Sequence, residues 1–111
     1  MKVAISSSGR GLESAVDPRF GRCPHFIIVE TETMAFEAIA NASVGAAHGA
    51  GIHAAQLVSS MGVRVVLTGN MGPNAFNVFQ PAGVPIYLFG GGTVREAVEA
   101  FIAKRPADWR A

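Results

Sequence analysis

The sequence predicts an α/β fold in which three strands are followed by alternating helix and strand. Three observations support this. Half of the 111 residues are apolar, which is enough for one core in a chain of single-domain length. Short β-branched runs, Val3 to Ile5, Phe26 to Val29 and Val65 to Leu67, carry no helical period. Three stretches with apolar residues at helical spacing begin after residue 47, each preceded by glycine.

Lys2 to Ser6 reads as a buried first strand, ended by Ser7, Ser8 and Gly9. A polar connection of about seventeen residues follows, Gly9 to His25, and a loop that long in a compact domain is uncommon unless it is functional or disordered. Leu12, Val16 and Phe20 give it apolar surface to bury, which argues against disorder. Phe26 to Glu30 is the second strand, and Thr31 to Thr33 has hairpin length, so Met34 to Ala42 is expected to return antiparallel. The spacing of Phe36, Ile39 and Ala40 suits a helix equally well; the need for a sheet partner favours a strand.

His48 to Met61 is expected as an amphipathic helix ending at Gly62, with Ala50, Ala54, Leu57, Val58 and Met61 on its apolar side. Arg64 to Thr68 is the fourth strand. Pro73 opens a second helix that Pro81 stops, and Pro85 to Phe89 is the fifth strand. Thr93 and Glu96 form a capping box for the last helix, with Val94, Ala97, Val98, Phe101 and Ile102 inward. Residues 1–111 are read as one domain, with 107–111 a loose tail.

If the first three strands form a meander and the later crossovers are right-handed, every helix starts at one edge of the sheet. That edge collects Gly9, Gly11, the Gly45 to Gly51 stretch, Gly69, Gly72 and Gly90 to Gly92. Helix starts and unpaired amides favour anions, and Arg10, Arg19 and Arg22 leave the same edge. An anionic ligand is therefore expected there.

Several classes are disfavoured. The formal net charge is +1, and no basic run exceeds Lys104-Arg105, a poor footprint for nucleic acid. No apolar run approaches the roughly 20 residues of a membrane span, so the chain is expected to be soluble and cytoplasmic. No carboxylate pair, nucleophile elbow, Walker loop or HExxH supports a hydrolytic or phosphoryl-transfer enzyme. Cys23, the one cysteine, is either a small buried hydrophobe or, beside Arg22 and His25, a metal ligand. His48 and His53 lie about 140° apart on a continuous helix and do not chelate together unless His48 precedes it. Asn70 and Asn74 flank Gly72-Pro73 as turn residues that could also donate to a ligand.

Gly9-Arg-Gly-Leu-Glu-Ser-Ala-Val-Asp-Pro-Arg-Phe-Gly-Arg-Cys23, Gly49-Ala-Gly-Ile, Val65-Val-Leu-Thr-Gly-Asn-Met-Gly-Pro-Asn-Ala75 and Gly92-Thr-Val-Arg-Glu-Ala97 together resemble the dinitrogenase iron-molybdenum cofactor biosynthesis family, the NifX and NafY group. The resemblance runs from Lys2 to Ile102. It implies a ribonuclease-H-like fold without nuclease carboxylates, a five-stranded mixed sheet of order 3-2-1-4-5 with three helices, βββαβαβα. It implies a small noncatalytic carrier of an anionic iron–sulfur or molybdenum-containing cluster, lost on isolation, delivered to an apo-metalloenzyme or a cluster-assembly protein. Some relatives bind their cluster largely without covalent ligation. Carried over by motif, the expected contacts are Arg10, Arg22, Cys23, Asn70, Gly72 and Asn74, with Cys23 and His53 as candidate metal ligands. The competing expectation is an enzyme or sensor that binds a phosphorylated metabolite or nucleotide at the same edge.

Overall fold

The computed structural model describes residues 1–43, 45 and 48–104. The elements in order are β1 (Lys2–Ser7), β2 (His25–Glu30), β3 (Phe36–Ala40), α1 (Ala50–Ser59), β4 (Val65–Thr68), α2 (Pro73–Phe79), β5 (Ile86–Leu88) and α3 (Val94–Lys104). They build one five-stranded sheet of order β3-β2-β1-β4-β5. β2 runs antiparallel to β1 and β3, whereas β4 is parallel to both β1 and β5. This is the topology expected from the sequence, and Met34 to Ala42 does contribute a strand. The strand is shorter than expected at its start because a turn uses the first residues. The Met34 N–H donates to the Glu30 carbonyl at 2.8 Å, with Met34 held at φ 63°. The expected tail 107–111 lies outside the described residues.

The two faces of the sheet carry separate cores, which explains why β1 and β2 read as continuous apolar runs rather than alternating ones. On one face Ala4, Phe26, Ile28 and Val66 pack with Ala54, Ala55 and Val58 of α1 and with Ala75 and Phe79 of α2. On the other, Val3, Ile5, Ile27, Val29 and Leu67 pack with Val94, Ala97, Val98 and Phe101 of α3. Each such side chain contributes about 1.5–3 kcal/mol when buried, Ala apart.

Local chemistry sets the helix ends. α1 begins at Ala50 rather than His48 because Gly49 adopts φ 71°, a left-handed conformation that interrupts the helix and costs glycine little. Pro73 occupies the first turn of α2, where its missing N–H has no partner to lose. α3 has the expected capping box: the Thr93 N–H donates to Glu96 Oε1 at 2.8 Å, and the Glu96 N–H donates to Thr93 Oγ1 at 3.1 Å. Among the described residues no helix is long and apolar enough to cross a membrane.

Candidate functional site: a cleft at the start of helix α1

The long loop between β1 and β2 crosses the end of the sheet, and its two halves go to opposite faces. The first half turns toward α3. The Ser8 N–H donates to the Ala15 carbonyl, Val16 to Gly92, Val94 to Ser14 and Arg95 to Leu12, at 2.8–3.0 Å. Leu12 and Val16 enter the core beneath α3. The crossing lies at Asp17-Pro18. The Asp17 N–H donates to the Ser6 carbonyl at 2.9 Å, and the Ser6 hydroxyl donates to the Asp17 carbonyl at 2.7 Å. Pro18 rests so close on Gly69 that a Cβ there would lie 2.6 Å from the Pro18 Cα.

The second half turns toward α1 and α2. Phe20 is its anchor: 2% exposed, its ring lies 5.0 Å from Phe26 and 5.7 Å, edge-on, from Phe79. The Phe20 N–H donates to the Asn70 carbonyl at 3.3 Å. Gly21 then passes over the first turn of α1, where a Cβ would meet the Gly51 Cα at 2.8 Å and its nitrogen at 2.9 Å. Only glycine permits that approach.

The result is a cleft of about 250 Å³ lined by Phe20–Arg22, Gly49–Ile52 and Gly72–Ala75. Among the described residues one lining side chain, Arg22, is charged, and no carboxylate lines the cleft. α1 has no side-chain cap, and its first internal bond is from the His53 N–H to the Gly49 carbonyl. The amides of Ala50, Gly51 and Ile52 precede any intrahelical partner, so the first turn of this ten-residue helix presents donors and the positive end of its dipole. An anion is the guest this lining favours.

The glycine-rich edge expected from the sequence is therefore divided rather than shared. Every helix does start at that edge, but the first turn of α3 is filled by Ser14, Leu12 and its own capping box, on the other face. Of the six expected contacts, Arg22, Gly72 and Asn74 line the cleft. Arg10 sits in the first half of the loop, where its Nε donates to His25 Nε2 at 3.3 Å. Asn70 acts through its backbone carbonyl on Phe20, and its side-chain oxygen accepts from the Met71 N–H at 2.9 Å. His53 is exposed and lines a separate cavity with Ala42, Ser43, Gly45 and Leu57.

Cys23 is fully buried in the core beneath α1 and α2. Its thiol donates to the Phe20 carbonyl at 3.3 Å, and burial pushes its pKa up to about 12. A thiol so placed is neither a thiolate nor open to a ligand, so the bland reading of this cysteine matches its surroundings. Arg19 does not reach the cleft's chemistry either: it pairs at 3.3 Å with Asp17, which holds its guanidinium above the ordinary range. Among the described residues no group of three or more His, Cys, Asp or Glu could hold a metal ion.

One residue that organises the cleft escaped sequence reasoning. Asn41, buried at the end of β3, donates from Nδ2 to the carbonyls of Gly21 and Cys23 at 3.1 and 2.8 Å. An asparagine after a strand carries no pattern that would reveal this.

An open α/β sheet with an anion-favouring cleft beyond its strand ends defines a small ligand-holding domain. The chain belongs to the dinitrogenase iron-molybdenum cofactor family, whose model matches residues 1–104. It is similar to the apo form of the orange protein from Desulfovibrio gigas, with 43% identity, a TM-score of 0.89, and 99% of this chain and 95% of that one covered. It is also similar to the NMR structure of a Thermotoga protein ascribed to NifB, with 43% identity, a TM-score of 0.81, and 94% and 89% covered. An uncharacterized protein of Methanocaldococcus jannaschii is 33% identical over 105 residues, 92% of this chain and 86% of the relative. The chain is a noncatalytic, cofactor-associated carrier or accessory protein.

Proposed function

We propose that this chain holds an anionic metal–sulfur cluster, iron–sulfur or molybdenum-containing, in the α1 cleft and passes it to an apo-metalloenzyme or a cluster-assembly protein. The observation that carries the reading is a cleft with an uncapped helix start and, among the described residues, one arginine and no carboxylate, in a chain of a cofactor family. Sulfide-rich clusters bear negative charge and accept hydrogen bonds. The first-turn amides of α1 and the Arg22 guanidinium supply donors, and Asn74 adds a polar side chain. Cys23 stays in the core and forms no bond to the guest. Holding by amides and one guanidinium suits delivery, because transfer then breaks no metal–thiolate bond. His53 and Arg10 stand outside this binding set, and Asn70 supports it through Phe20.

The test is anaerobic titration with tetrathiomolybdate, a coloured molybdenum–sulfur dianion, and separately with iron, sulfide and molybdate. Absorption bands should remain with the protein through gel filtration at about one guest per chain. Arg22→Gln should weaken binding by roughly tenfold and flatten its salt dependence, whereas Cys23→Ala should keep the spectrum. A protein that stays colourless but whose melting temperature rises with nucleotide or phosphate overturns the proposal in favour of a phosphorylated ligand.

A further inference from the structure

The loop that forms one wall of the cleft carries two peptide oxygens, of Gly21 and Cys23, that one side chain holds. Asn41 is 3% exposed. Its Nδ2 donates to the Gly21 and Cys23 carbonyls, while its Oδ1 accepts from the Ser43 N–H at 3.1 Å and the Ser43 hydroxyl at 2.7 Å. These partners fix which way the amide faces, since two carbonyls require the nitrogen and a backbone N–H requires the oxygen. Both donor hydrogens and both acceptor positions of the side chain are engaged, so its burial leaves no polar group unpaired.

Among the described residues there are no cis peptides, so the Gly21 C=O lies opposite the Arg22 N–H of the same peptide unit. Drawing the Gly21 oxygen onto Asn41 points the Arg22 N–H away from Asn41, on a stretch that lines the cleft. Without that clamp the same peptide could turn an oxygen toward an incoming anion, replacing attraction by repulsion. We infer that Asn41 is a positioning residue which gives the loop side of the cleft its donor polarity, and that the Arg22 backbone N–H is a contact to the anionic guest. This rests on the carrier reading and deepens it.

Asn41→Asp tests the inference because it keeps the shape while replacing two donors by a carboxylate that faces two carbonyl oxygens. The folded variant should bind tetrathiomolybdate at least roughly tenfold more weakly. Ser43→Ala, which leaves both carbonyl clamps in place, should stay within about twofold. In 15N–1H spectra of the wild type the Arg22 amide should shift with the probe. In folded Asn41→Asp it should not, while Gly51 and Ile52 still respond, a pattern that mere loss of stability does not produce. Should the aspartate variant fail to fold, Asn41→Ala replaces it with the same expectation. Should both fail, the wild-type Arg22 amide decides alone: a resonance unmoved by bound probe overturns the inference. Failure of the wild type to bind the probe overturns the carrier reading itself, whereas tight binding by folded Asn41→Asp overturns only the role of Asn41.

Discussion

Gly9–Val16 and Phe20–Cys23 are parts of one loop, and each meets the start of a helix, but they treat it differently. The first half gives the α3 start what a helix end lacks: the Ser14 and Leu12 carbonyls accept from Val94 and Arg95, and Thr93 and Glu96 cap each other. The second half sets Gly21 against α1 but leaves its first turn without a side-chain cap. Both helices follow glycine-rich turns at the same edge of one sheet. Whether such an edge becomes structure or site depends on whether the neighbouring chain supplies acceptors to the helix amides. The price of an open start falls on Phe20 and Asn41, which hold the second half without filling it.

Removing Phe20 should have the largest effect. Phe20→Ala takes out the anchor between Phe26 and Phe79 and should lower stability by about 3–5 kcal/mol, which in a domain of this size is a fall in melting temperature on the order of 10 °C or more. Calorimetry checks it, and a loss below about 1 kcal/mol would mean that the second half is not held by its aromatic anchor. Gly21→Ala should come next. Its methyl group would collide with the Gly51 backbone, so the loop must lift, with about 1–3 kcal/mol lost and tetrathiomolybdate binding lost along with it. Unchanged binding in a titration would show that close approach to α1 is not needed.

Thr93→Ala acts on the closed start. It should cost about 1 kcal/mol in a denaturant melt and leave probe affinity unchanged, and a parallel loss of affinity would erase the distinction between the two halves. The smallest effect at ordinary pH concerns Cys23. Its pKa in the folded chain lies above the reference value of 9.0, at about 12. The neutral thiol is therefore favoured by folding: its contribution is fully present below about pH 9 and is lost as pH rises toward 12. Thiol alkylation near pH 8 should be slow until denaturant is added, and rapid labelling of the native protein would place the thiol at the surface.

The strands, helix order and sheet topology were legible because each rests on local pattern, such as β-branched runs, the Thr93/Glu96 box and Pro73 at a helix start. The same patterns placed every helix start at one edge of the sheet. They could not say which helix start is open, because that depends on contacts across long separations, such as Val94 with Ser14 and Phe20 with Asn70. Arg10, Arg19 and Arg22 look alike in sequence, yet of the three only Arg22 lines the cleft. Cys23 sits in a polar stretch, but the β2 strand that follows draws it into the core. Asn41 had no local signature at all.

The most direct test of the divided edge is to map which backbone amides feel an anionic guest. In 15N–1H spectra recorded during titration with tetrathiomolybdate, Arg22, Gly51, Ile52 and Asn74 should shift together, while Ser14, Val94 and Arg95 stay in place. Shifts centred on Gly91 to Arg95, or spread equally over both helix starts, would contradict the account.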